Sequence, residues 1–201
     1  MISIDKIETQ SVFLITDRSP WSQMAADVAR RRGLRLTHLD WERGDLSVED
    51  PLSEWKGDWI IAFKADYIVP RDRLAHASRG AINFHPGPPS IRGIGAYEVA
   101  IEQNRRSYGV TCHHMTVRVD AGPIIKVRRF PMGEGVEAAE LRDMAAAELL
   151  ALYLQVIHFI VSGRRLPIST SKWSGPLHTW KEFDMRTTKE IFQAGYADIS
   201  Y

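Results

Sequence analysis

The sequence predicts an α/β fold: a doubly wound, mostly parallel sheet with an antiparallel C-terminal part and a long C-terminal helix. Three observations predict it. Continuous apolar runs at residues 12–16 and 59–63 alternate with segments of helical spacing, the pattern of buried parallel strands joined by helices. Two later strand-like runs, 109–117 and 122–130, are separated by four residues, a connection too short for a crossover, so they must pair antiparallel. A single apolar stripe of helical period then runs through residues 136–162.

Val12-Phe13-Leu14-Ile15-Thr16 reads as the first buried strand. Ser19-Pro20 follows as a helix cap with proline at the first helical position. Trp21, Met24, Ala25 and Val28 supply the helical spacing, and Gly33 ends it. Residues 34–39 form a second strand, and 45–55 are polar and loop-like. Trp59-Ile60-Ile61-Ala62-Phe63 is the third strand, residues 70–76 a short helix and Ala81-Ile82-Asn83-Phe84 the fourth strand. A helix over 96–103 precedes the antiparallel pair. In the long helix, Leu141, Ala145, Leu149, Leu152, Val156 and Ile160 make the stripe. Glu134 and Glu137 suit its positive N-terminus and Gly163 stops it. The expected division is a catalytic domain over 1–165 and an aromatic-rich tail over 166–201, packed on the domain or at an oligomer contact such as a homodimer.

Composition is that of an ordinary globular chain: 201 residues, 44% hydrophobic, 25% charged, net charge +1. Near-neutral charge gives no reason to expect nucleic acid or an anionic membrane as partner. The apolar stretch 149–163 carries Gln155 and His158 and is shorter than the roughly 18 residues a membrane span needs. Charges interrupt the first residues, unlike a secretory leader. Cys112 is the one cysteine, so no intrachain disulfide forms. A cytoplasmic location is expected on these grounds.

The chemistry concentrates in residues 81–132. Asn83 and His85 are two apart at a strand end, so they face the same side, at the edge where doubly wound sheets bind ligands. Pro86, Pro88 and Pro89 stiffen the loop that follows, and Asp120 lies in a tight connection that could turn it toward them. An amide that never titrates, an imidazole and a carboxylate supply oxyanion stabilisation and proton transfer near neutral pH. Each residue alone is more often a cap, a turn or an ordinary polar residue. The combination is more specific.

Asn83-Phe84-His85-Pro86, then Pro89 to Arg92-Gly93, Gly109-Val110-Thr111-Cys112-His113 and Asp120-Ala121-Gly122, resemble in order the folate-dependent formyltransferase family. The match is strong over 59–132 and holds in outline over 12–162. The resemblance implies a Rossmann-like domain that moves a formyl group from 10-formyltetrahydrofolate to a primary amine, without a metal. It makes Asn83, His85 and Asp120 the catalytic trio. It sets the pterin against Phe63, Lys64, Ala65, Asp66 and Tyr67 on one side and Thr116, Val117, Arg118 and Val119 on the other, largely through main-chain groups. Pro88, Arg92, Gly93, Tyr97 and His113 would border the amine acceptor. Two departures stand out. The loop His85-Pro86-Gly87-Pro88-Pro89 is about one residue shorter than in many members, and the turn Thr16-Asp17-Arg18-Ser19-Pro20 has no glycine-rich phosphate cradle.

The missing cradle argues against glycinamide ribonucleotide as acceptor, and the length and charge argue against tRNA. Leu166-Pro167, then Trp173, then Leu177-His178-Thr179-Trp180-Lys181-Glu182 resemble the stretch after the catalytic domain in sugar-nucleotide formyltransferases. The expected acceptor is therefore a small molecule, a nucleotide-linked amino sugar, with glycinamide ribonucleotide transfer or formyltetrahydrofolate hydrolysis as alternatives. A metal site built from Cys112, His113, His114 and Asp120 with His85 is disfavoured because adjacent strand residues face opposite sides. A dinucleotide oxidoreductase lacks its glycine fingerprint after the first strand. A folate-binding module without catalysis is the non-enzymatic alternative.

Overall fold

The structure, a computed structural model, describes residues 9–43 and 50–183. Residues 45–49 of the polar loop expected over 45–55, the first residues and the last part of the tail lie outside that range. A six-stranded sheet runs in the order β2-β1-β3-β4-β6-β7. β1 (Ser11–Thr16), β2 (Arg35–Asp40), β3 (Gly57–Phe63) and β4 (Ala77–His85) are parallel. β6 (Ser107–His114) and β7 (Ile124–Pro131) continue the sheet antiparallel. A second sheet consists of two short strands, β5 (Arg92–Gly93) and β8 (Leu177–His178), paired in parallel. The sequence pattern did not announce either.

β1 is buried along its whole length, and its side chains alternate between two cores. Val12 and Leu14 join the larger core, and Phe13 and Ile15 the smaller one. α1 (Pro20–Arg31), α2 (Ala96–Glu102) and α3 (Ala138–Val161) all place their buried residues in the larger core. The opposite face is covered by a 3-10 turn, Arg73–His76, and by connecting segments carrying Trp41, Trp55 and Tyr67. α3 is long and apolar enough to cross a membrane by composition alone. Here Leu141, Leu149, Leu152, Tyr153, Val156 and Ile160 of that helix pack into the core, which accounts for its apolar character.

One buried face and two boundaries differ from the expected ones. Met24 is 41% exposed, because α1 buries Ser22, Ala25, Ala26 and Ala29 instead. Small residues there let the helix lie close to the sheet. β4 begins at Ala77, in a stretch too polar to read as strand. β6 stops at His114, and the apolar-looking Met115 and Val117 belong to the loop leading to Asp120, with Val117 62% exposed. The longer connection preserves the antiparallel pairing and gives Asp120 room to reach back.

Candidate active site

The chain leaves β1 toward β2 on one side and returns to β3 on the other, so the sheet's switch point lies between β1 and β3. Asn83 and His85 end β4, the next strand over. In the antiparallel register Asn83 stands opposite His113 of β6, which puts both side chains on one face. An irregularity between Cys112 and His113 marks this point in the β6–β7 ladder. Cys112 points the other way, into the larger core, and burial pushes its thiol well up.

Asp120 lies between the two imidazoles. Its Oδ2 is 3.3 Å from His85 Nδ1, and its Oδ1 is 3.2 Å from His113 Nε2. The Gly93 N–H also donates to Oδ2, at 2.7 Å. Asp120 holds φ 42°, a left-handed conformation that aspartate tolerates better than most residues. Arg92 secures that turn from outside: Nε donates to the Asp120 carbonyl at 2.7 Å and a terminal nitrogen to the Val119 carbonyl at 3.2 Å. Burial pushes the Asp120 carboxyl up, but the His85 charge, the His113 hydrogen bond and charge and the Gly93 N–H outweigh it. The carboxyl is held well below the usual carboxylate range.

Each imidazole has a carbonyl behind it. His85 Nε2 meets the Ile91 carbonyl at 2.9 Å, and His113 Nδ1 meets the His114 carbonyl at 2.9 Å. Carbonyls only accept, so each outer nitrogen carries the hydrogen. The inner nitrogens face Asp120, so a further proton goes there and creates the charge and hydrogen bond that hold the Asp120 carboxyl down. Asn83 Nδ2 lies 3.2 Å from His113 Nε2. Its Oδ1 is buried with no partner among the described residues.

The loop after His85 is shaped to supply that carbonyl. Tyr108 donates its hydroxyl to the Pro86 carbonyl at 3.0 Å, and Thr111 donates to the Gly87 carbonyl at 2.8 Å. A Cβ on Gly87 would lie 2.6 Å from His85 Nε2, so the imidazole fits only against glycine. The Ile91 N–H closes the turn onto the Pro88 carbonyl at 2.9 Å.

The cluster lies in a cleft of about 280 Å³. Of the residues expected around the pterin, Lys64, Ala65, Asp66, Tyr67, Thr116, Val117, Arg118 and Val119 line it. Phe63 does not: it is fully buried, its ring centroid 6.0 Å from that of Phe84 and 5.4 Å from that of Tyr153. Gly93 and His113 also line the cleft. Pro88 is buried within its loop. Tyr97 stacks on Tyr108 with the Arg142 guanidinium over its ring, and burial pushes its phenol well up. Arg92 spends its guanidinium on main-chain carbonyls rather than on the cleft. The acceptor-side expectations therefore divide, with Gly93 and His113 at the cleft and Pro88, Arg92 and Tyr97 behind it.

Tail residues complete the walls. Leu177, His178, Thr179 and Trp180 line the cleft. Trp180 and Trp41 both donate their indole N–H groups to Asp66, at 3.1 and 2.9 Å. The aromatic richness of the tail was visible in the sequence; its long-range seat was not.

Fold and site together define a doubly wound α/β protein with an amide–imidazole–carboxylate centre at its strand ends. The chain belongs to the formyl transferase family, whose model, described as Formyl transferase, matches residues 9–157. It is 29% identical over 117 residues to a methionyl-tRNA formyltransferase of Syntrophomonas wolfei, covering 58% of this chain but only 37% of that relative's length. An N-formyltransferase from Helicobacter canadensis, solved in complex with folinic acid and dTDP-3-aminofucose, superimposes with a TM-score of 0.72 at 15% identity, covering 87% of this chain and 72% of that one. The formyltransferase PseJ from Anoxybacillus kamchatkensis, in complex with UDP-4,6-dideoxy-4-formamido-L-AltNAc and tetrahydrofolate, gives 0.66 at 18% identity, covering 89% and 90% of the two chains.

Proposed function

We propose that this protein transfers a formyl group from 10-formyltetrahydrofolate to the primary amine of a nucleotide-linked amino sugar. The observation that carries the transfer reading is the Asp120 carboxylate held between His85 and His113, with Asn83 beside them at the inner end of the cleft. The cleft suits a reduced folate: apolar walls from Ile68, Val69, Leu74 and Met115 lead to an unsatisfied amide oxygen on Asn83. Lys64, Ala65, Asp66 and Tyr67 would hold one side of the folate, and Thr116, Val117, Arg118 and Val119 the other. Bound there, 10-formyltetrahydrofolate supplies an activated formyl carbon and a nitrogen leaving group.

The chain's own groups handle charge and protons. The attacking amine must lose a proton. Asp120, with its carboxyl held low, stays ionised and acts as counter-charge. The inner nitrogen of His85 or His113 takes the proton and returns one to the folate nitrogen as its bond to the formyl carbon breaks. Protonation at His113 Nε2 turns that nitrogen from acceptor to donor. It then donates to Asp120 Oδ1, 3.2 Å away, and no longer accepts from Asn83, whose Nδ2 is free to donate to the oxygen that gathers negative charge on attack.

Three observations support the acceptor class. The N-terminus of α1, where a phosphate could lie, is filled by Asp17: one carboxylate oxygen accepts from the Ser19 N–H at 3.1 Å and from the Ser19 and Ser22 hydroxyls. An acceptor phosphate is thereby kept from that turn. The Helicobacter and Anoxybacillus proteins, similar over nearly all the described residues, were solved with nucleotide sugars. The tail that walls the cleft is the segment expected from the sugar-modifying branch.

The test is formyl transfer to a panel of amino-sugar nucleotides, glycinamide ribonucleotide, free amino acids and water. Saturable transfer to a sugar nucleotide is expected. Asn83→Ala should lower kcat by about 10²-fold, as for loss of one oxyanion donor. Transfer to glycinamide ribonucleotide alone would refute the acceptor, and a folded Asn83→Ala enzyme of full activity would refute Asn83's role.

A further inference from the structure

We infer that Trp173, on the tail, is a positioning residue for the cluster of His85, Asp120 and His113. Its ring meets His113 edge-on, with centroids 4.9 Å apart and planes at 89°. It meets His85 at 6.0 Å and 63°. Among the described residues no other aromatic side chain contacts both imidazoles. Trp173 also donates its indole N–H to the Gly122 carbonyl at 2.7 Å, two residues beyond Asp120.

That carbonyl is a firm anchor. A Cβ on Gly122 would overlap the His114 carbonyl, at 1.8 Å, and the His114 N–H donates to the Pro123 carbonyl at 2.9 Å. The residues after Trp173 grip the other catalytic loop. The Ser174 N–H donates to the Pro89 carbonyl at 2.9 Å and the Ile94 N–H to the His178 carbonyl at 3.0 Å. A Cβ on Gly175 would press on the Ser90 carbonyl at 2.6 Å. The segment thus ties the loop holding His85 to the loop holding Asp120, with the Trp173 ring at the junction.

The arrangement has a chemical purpose. Each imidazole is held closely on its carbonyl, at 2.9 Å, but more loosely on Asp120, at 3.3 and 3.2 Å, which leaves the rings some play about their Cβ–Cγ bonds. An edge-on aromatic removes that freedom and covers part of each ring from water. Misplacement by about 1 Å at such a centre costs as much as 10²-fold in rate. Trp173 reaches the reaction through the histidines, so its loss acts on kcat.

The inference rests on the formyl-transfer reading for its kinetic consequence but not for its geometry, and the experiment separates them. In Trp173→Ala, kcat should fall at least 10-fold with KM for donor and acceptor within about 3-fold. Trp173→Phe, which keeps an aromatic ring but loses the fused five-membered ring with its N–H donor, should recover most of that loss and covers the case in which the alanine variant does not fold. In parallel, the histidine ring signals are followed by NMR in full-length wild type and both variants. The seven histidines include two in ring contact with Trp173, His85 and His113, whose signals should move, while those of His38, His76 and His158 stay unchanged. Immobile His85 and His113 signals, or a rise in KM at constant kcat, would overturn the inference. If no acceptor is found, the NMR result still decides it.

Discussion

Asp120 shows how much one residue is asked to do. It is 4% exposed and faces two imidazoles and a main-chain N–H, and its left-handed backbone is held by Arg92. Its carboxyl is lower in the folded protein than in the unfolded chain, where it titrates near 3.9. A depressed carboxyl adds stability that is complete above the unfolded value and is lost as pH falls toward the folded one. Asp120→Asn should therefore be less stable than wild type at pH 7, and the gap should close as pH is lowered through 4. Urea midpoints measured from pH 7 to 3 check this; parallel curves for the two proteins would mean that the carboxyl is not coupled to folding. The same variant should lose formyl transfer throughout the range, because the imidazolium loses its counter-charge.

Among the elements, α3 offers the cleanest energetic test. Tyr153 is fully buried and packs edge-on against Phe63 and Phe84, with centroids 5.4 and 5.1 Å away. Its hydroxyl has no hydrogen-bond partner among the described residues. A buried unsatisfied hydroxyl costs free energy that its removal returns. Tyr153→Phe should leave the rings in place and raise stability by about 1 kcal/mol. Chemical unfolding measures it; a loss of stability would reveal a partner for the hydroxyl. β1 and β3 were legible in the sequence because burial on both faces leaves an unbroken apolar run. The start of β4 was not, since residues 77–80 are small or polar and are held by pairing with β3. Asn83 and His85 could be read as neighbours because two residues apart on a strand means one face. His113 as a partner of Asp120 could not, because that contact depends on the β4–β6 register and on the loop beyond His114.

Over the whole molecule, the tail and the catalytic loops hold each other in place. β5 and β8 are distant in sequence and pair in register, Arg92 with Leu177 and Gly93 with His178. Gly93 has φ 80°, and a Cβ there would stand 2.0 Å from the His178 carbonyl. Gly93→Ala should break that pairing, loosen the wall formed by Leu177 and Trp180 and weaken folate binding by about 10-fold or more, a 1.4 kcal/mol effect per tenfold. Limited proteolysis should cut the variant within 166–183 faster than wild type, and unchanged cleavage and affinity would show that the tail is held by other contacts. The expected split into a catalytic domain and a tail at residue 165 was drawn from composition. It allowed for a tail packed on the domain but could not place Trp173 beside the imidazoles or Leu177 and Trp180 in the cleft wall, since contacts across such sequence distances leave no local signature.

The parallel pairing of β5 with β8 also bears on how the protein is made. Synthesis proceeds from the N-terminus at about 5–20 residues per second, so Asn83, His85, His113 and Asp120 leave the ribosome several seconds before Leu177 and His178. During that interval a growing chain possesses every acid, base and amide of its centre, yet has an open side where the cleft needs a wall. On the formyl-transfer reading, a donor bound during that interval would face bulk water on its open side. Because the closing strand arrives last among the described elements, competence is deferred until the scaffold beneath it has been laid down.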